Sequence, residues 1–75
     1  MSSTTKTTAT PESIGSSNAL AAIDQMHTYL LPRLAIDAYL TNAEDTLDEY
    51  LGGQGYDAMY KAFSDTIGAA GHTIG

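Results

Sequence analysis

A chain of 75 residues with nine acidic side chains against Lys6, Arg33 and Lys61 carries a net charge of −6. Such a surface repels a phosphate backbone and an anionic bilayer, so neither direct nucleic-acid binding nor electrostatic membrane attachment is expected. The absence of cysteine removes disulfides, thiolate nucleophiles and cysteine-ligated metals, and a core this small is marginal without a staple or a partner.

The opening MSSTTKTTATPESIGSS is rich in Ser and Thr and shows no apolar period, so residues 1–16 read as a flexible arm. Within it, Thr10-Pro11-Glu12 has the form of a helix start, with Thr10 as cap and Pro11 at the first helical position. Gly15 and the flanking serines predict that any helix there is brief. No apolar core follows Lys6 and no apolar run approaches about 20 residues, so neither a secretory signal nor a transmembrane segment is expected. The default location is the cytoplasm or the interior of a particle.

The spacing predicts a first full helix from about Ser17 to Leu31, with Ala19, Ala22, Ile23, Met26 and Leu30 as its apolar stripe. Pro32 breaks or kinks it. A helical pattern resumes over residues 33–40, with Leu34 and Ala38 inward and Ile36 and Leu40 as further candidates. One kinked helix and two short ones are both compatible with this pattern. Residues 41–44, TNAE, have the form of a capping box and predict a new helix. Its apolar face is Ala43, Leu47, Tyr50 and Leu51; Glu44, Asp45, Asp48 and Glu49 lie on the opposite side. Residues 52–55, GGQG, end it. A last helix spans about Tyr56 to Ala70, where Tyr56, Met59, Tyr60, Phe63 and Ile67 form the best amphipathic stripe of the chain. No stretch alternates with a period of two for long enough to predict a strand. The expectation is all-α: a small bundle of three or four short helices over residues 17–70, a flexible arm before it and a tail at 71–75. That tail repeats the Thr-Ile-Gly of residues 66–68 at 73–75, and Ile74 belongs to no stripe; docking after a helix end near Gly71 is its plainest role.

Residues that carry chemistry are sparse. The acids at 44, 45, 48 and 49 lack the alternating ligands and central glycine of a calcium loop and the Glu-x-x-His repeats of a di-iron bundle; they read as a solvated face. Asp24 and His27 stand three apart with no third ligand, and His72 sits in a glycine-rich segment. GGQG has neither the preceding strand nor the following Gly-Lys-Ser/Thr of a phosphate cradle. No catalytic, cofactor or metal residue is expected. Five tyrosines and one phenylalanine are many for so small a core, so Tyr29, Tyr39, Tyr50, Tyr56, Met59, Tyr60, Phe63 and Ile74 are the candidate interface residues.

Residues 47–63, LDEYLGGQGYDAMYKAF, resemble a short stretch near the start of the NADH-binding flavoprotein subunit of respiratory complex I, where Leu-Asp-Glu-Tyr precedes Gly-Tyr and Lys-Ala-Leu. That family's glycine-rich flavin loop does not follow, so the resemblance implies a helix–turn–helix pattern and no cofactor site.

Three functional expectations remain. The first is a non-enzymatic structural or assembly subunit of a larger particle, such as a virion or multisubunit complex, with a protein partner or self-association through the arm and the tyrosine-bearing faces. The second is a precursor peptide with a helical leader and residues 66–75 as the modified core. The third is a small acidic inhibitor of a basic groove.

Overall fold

A computed structural model describes residues 9–75. The fold is all-α, a small bundle of three helices: α1 (Pro11–Met26), α2 (Arg33–Leu51) and α3 (Tyr56–Ala69). Two short strands, β1 (Leu30–Leu31) and β2 (Thr73–Ile74), follow α1 and α3.

Helix α1 starts where the Thr10-Pro11 signal lies. The Ser13 amide donates to Thr10 Oγ1 at 3.1 Å, and the Thr10 amide donates to Ser13 Oγ at 3.0 Å, a reciprocal cap that satisfies two otherwise orphan groups. The helix runs through Gly15 without interruption. Residues 11–16, expected in the arm, are therefore the first turns of α1; the remainder of that expected arm, residues 1–8, lies outside the described residues. Packing overrides the helix-weakening tendency of glycine, because Gly15 is buried where α1 crosses α3. A Cβ on Gly15 would run into the backbone carbonyl oxygen of Met59 and lie 3.0 Å from the Phe63 nitrogen. Only glycine permits that approach.

The contacts order the three helices. Pro11 lies against Gly55, Gly15 against Met59 and Phe63, and Ser16 Oγ is 3.0 Å from Thr66 Oγ1, so α1 and α3 run in the same direction. Asn18 bonds Asn42, and Ile14 clusters with Ala43 and Leu47 while Ala22 clusters with Ile36, so α2 runs back against α1. The backbone of helix α1 lies close to both neighbours, whereas α2 and α3 meet chiefly through side chains. One apolar cluster joins Ala19, Ala22, Leu31, Ile36, Phe63 and Ile67; the other joins Ile14, Ala43, Leu47 and Met59. Asn18 is the buried polar side chain of the interior. Its Nδ2 donates to the Ile14 carbonyl at 2.9 Å, and its Oδ1 accepts from Asn42 Nδ2 at 2.7 Å.

Two expected boundaries are corrected, and the alternative left open at Pro32 is settled. Helix α1 stops at Met26, short of Leu31, because Pro32 restricts Leu31 to extended backbone; His27 turns the chain out in the left-handed region at φ 50°. Leu30 and Leu31 then pair in parallel with Thr73 and Ile74, the strand pair that period-two reasoning did not predict. Pro32 separates two elements rather than kinking one. Finally, the TNAE box does not form, since α2 is continuous through Thr41. Its buried residues Ile36, Ala43 and Leu47, with half-buried Leu40, make a single stripe at helical steps, and this stripe outweighs the local cap. Leu34 and Ala38, expected inward, are exposed, Leu34 by 85%. Leu30, placed on the stripe of the first helix, and Tyr50, placed on the apolar face of the helix after the box, are exposed as well.

The end of α3 explains the repeated triplet. Gly71, at φ 86°, follows the cap residue Ala70; its amide donates to the Gly68 carbonyl at 3.0 Å and the His72 amide to the Ile67 carbonyl at 3.1 Å. This is a Schellman ending, which needs the left-handed glycine. The chain then reverses into β2, where the Thr73 amide donates to the Tyr29 carbonyl at 3.0 Å and the Gly75 amide to the Leu31 carbonyl at 2.9 Å. His72 Nδ1 lies 2.6 Å from the Thr28 carbonyl oxygen. A carbonyl only accepts, so Nδ1 carries the proton. Ile74 packs on the cluster that holds Leu31, so it docks on the domain.

Gly15→Ala is expected to lower stability in urea unfolding. Overpacking against backbone costs about 1–3 kcal/mol and exceeds the ~1 kcal/mol that alanine returns as a helix former. Gly68→Ala, whose Cβ meets open space, is expected to gain about 0.5–1 kcal/mol in the same assay. His27→Gly is expected to raise stability by about 0.5–1 kcal/mol, because a left-handed backbone is unfavourable for any residue with a Cβ; an unchanged unfolding midpoint would show that the side chain compensates.

Candidate functional site

The candidate interface residues separate into a buried and an accessible set. Met59 and Phe63 are fully buried and are corrected to core: they hold α3 against α1 and cannot reach a partner from the folded chain. Tyr39 and Ile74 are half-buried against the first cluster. Tyr29, Tyr50, Tyr56 and Tyr60 are exposed, at 69%, 64%, 42% and 40%.

The exposed rings do not form one surface. Tyr29 lies just before β1, beside exposed Leu30, and its hydroxyl accepts a long bond from Thr73 Oγ1 at 3.4 Å. Leu34 stands exposed in the first turn of α2. Sequence reasoning missed Leu34 as a surface residue. The readable signal was the phase of the stripe: continuing from Leu47 and Ala43 backwards by helical steps selects Leu40 and Ile36 and leaves Leu34 outside.

A second surface is built where α3 passes α2. Tyr56 and Tyr60 are one turn apart and stack, with ring centroids 6.2 Å apart and planes inclined by 16°. The Tyr56 phenol is pushed above its ordinary value, first by partial desolvation and then by the negative charge of Glu44, which faces it from α2. Asp48 follows Glu44 by one turn, and Asp57 adjoins Tyr56. The described cations are occupied elsewhere: Arg33 pairs with Asp37 at 3.3 Å and Lys61 with Asp65 at 2.9 Å, both exposed pairs one helical turn apart that add little stability.

Two open hollows flank the Asn18–Asn42 bond between α1 and α2. One, of about 200 Å³, is lined by Asn18, Ala21, Ala38, Tyr39 and Asn42. The other, of about 320 Å³, is lined by Ala9, Ser13, Ile14, Ser17, Asn18, Asn42 and Thr46. Their walls are small and mostly uncharged, and neither gathers an acid, a base and a nucleophile. Among the described residues, no three His, Asp or Glu side chains come together to hold a metal ion, and no helix is long and apolar enough to cross a membrane. His27 and Asp24 are both exposed, with His27 beyond the helix end.

No protein-family model, curated protein or solved structure matches this chain. Its own surfaces therefore carry the functional reading.

Because the folded-state value of Tyr56 is raised, its protonated form is favoured by folding. That contribution is present below the ordinary tyrosine value near 10 and is lost as pH rises through the folded-state value. In an absorbance titration of phenolate formation, Tyr56 is expected to ionise above the ordinary tyrosine value. Its contribution is identified by comparison with Tyr56→Phe, and Glu44→Gln is expected to move it back down. An unchanged titration in Glu44→Gln would show that desolvation, with Tyr60 and Asp57, raises the value without Glu44.

Proposed function

We propose that this chain is a non-enzymatic interaction subunit, a small helical part of a larger assembly that binds protein partners through its exposed aromatic surfaces. One observation carries the reading: among the described residues, a core of ten buried apolar residues leaves Leu20, Tyr29, Leu30, Leu34, Tyr50, Tyr56 and Tyr60 exposed. A domain this small gains stability from covering such groups, and tyrosine is favoured in protein interfaces because it offers large rigid contact area with a polar tip. The acidic surface supports protein over nucleic acid as the partner class. The backbone of Thr73 and Ile74 is engaged in the strand pair, which gives no support to residues 66–75 as a displayed core for modification.

Photo-crosslinking tests this reading. A benzoylphenylalanine is placed at Tyr29, at Tyr60 or, as a control, at Asp24 on the solvent side of α1, and the chain is irradiated in extracts of its own host. Discrete adducts from Tyr29 or Tyr60 and none from Asp24 are expected, together with a larger mass for the native species in light scattering. A monomer that gives the same sparse adducts from all three positions would overturn it.

A further inference from the structure

Helices α2 and α3 share both apolar clusters although few of their backbone positions come close, and the residues flanking this contact stay at the surface. On α3, the stacked Tyr56 and Tyr60 flank it and stay partly exposed. On α2, Ala43 shares an apolar cluster with Met59 of α3, which sets the adjoining Glu44 toward Tyr56, and Asp48 stands one turn after Glu44 on the same side of the helix. Among the described residues, neither carboxylate has a Lys or Arg partner, since both described cations are held by acids one turn along their own helices. Two aromatic faces beside two uncompensated carboxylates are complementary to a flat cation. A guanidinium stacks on a ring through its face and forks onto a carboxylate through its edge; an ammonium is more strongly hydrated and does neither as well. The same carboxylates repel a nucleic-acid phosphate or an anionic lipid.

We propose that the face formed by Glu44, Asp48, Tyr56 and Tyr60 is the docking surface for an arginine-bearing segment of a partner protein. An arginine side chain lies on the exposed face of Tyr60 with its fork on Glu44, and Asp48 attracts a second cation of the same segment. This names the partner chemistry for one of the aromatic surfaces and so rests on the interaction reading above.

The test is a nuclear magnetic resonance titration of the full chain with capped hexa-arginine and, separately, capped hexa-lysine at low salt. Saturable shifts centred on Glu44, Tyr56 and Tyr60 are expected, with hexa-lysine weaker by about threefold. Tyr60→Ala is expected to weaken hexa-arginine about fivefold and Glu44→Gln about threefold, whereas Tyr60→Phe, which keeps the ring face, retains binding. Asp24→Asn removes the same charge from the solvent side of α1 and is expected to leave affinity unchanged. Circular dichroism melts establish that each variant is folded. The proposal is overturned if shifts spread over all acidic positions, if Asp24→Asn weakens binding as much as Glu44→Gln, or if the two peptides bind equally. It also fails if the segment crosslinked at Tyr60 carries no arginine. That outcome leaves the interaction reading standing, whereas the absence of any tyrosine-dependent adduct removes the reading itself.

Discussion

The close approach of α1 to α3 at Gly15 sets the rest of the fold. With no side chain there, the α1 backbone reaches the Met59 carbonyl and the Phe63 amide. Ala19 and Ala22 are buried on the same helix, so small residues let large ones from the other elements fill the interior. Phe63, Met59, Ile36, Leu47 and Leu31 supply that volume, and none comes from α1. A helix with so little apolar bulk has no strong amphipathic signature, yet it is the central element. It packs on both neighbours, which meet each other chiefly through side chains of the two apolar clusters, and the residues flanking that meeting form the aromatic and acidic face.

The parallel course of α1 and α3 brings their exits together. Each helix leads, across a three-residue connection, into a two-residue strand, and each connection begins with or contains a left-handed residue, His27 or Gly71. The strands pair because the helices deliver them to the same end of the molecule in the same direction. So short a pair has little stability of its own. Leu31 and Ile74 anchor it by packing on the interior cluster, and the bond from His72 to Thr28 adds a further link between the two connections. The repeated Thr-Ile-Gly thus serves two roles. Its first copy closes the core stripe of α3, and its second supplies a strand.

Charge and exposure then distribute function over what packing leaves free. The carboxylates of α2 stay on the surface, and both described cations are occupied within their own helices. Glu44 is drawn to Tyr56 only because α2 and α3 lie beside each other. This pairing joins an aromatic stack to uncompensated negative charge, and it is the feature from which the arginine-bearing partner is inferred.

Much of the fold is legible in the residues themselves. Absence of cysteine, the negative charge and the apolar periods bound the chemistry and indicate an all-α class; Thr10-Pro11 marks the start of α1, and the Met59, Phe63 and Ile67 spacing marks the inner face of α3. These are local properties, set by caps and by the 3.6-residue turn, and a sequence displays them directly. Other features are not legible there: the helix through Gly15, the uninterrupted helix at Thr41, the strand pair, the burial of Met59 and Phe63 away from any partner, and the meeting of Glu44 with Tyr56. Each depends on a residue distant along the chain. Gly15 is helical because α3 lies against it, Thr41 because Ile36 and Leu47 on either side of it cluster with Phe63 and Met59 of α3, and Thr73 is extended because Tyr29 offers a carbonyl. Sequence by itself determined which segments could coil and that cysteine chemistry was absent; tertiary structure decided where the helices begin and end and which side chains meet, because nonlocal packing outweighs local propensities of about 1 kcal/mol.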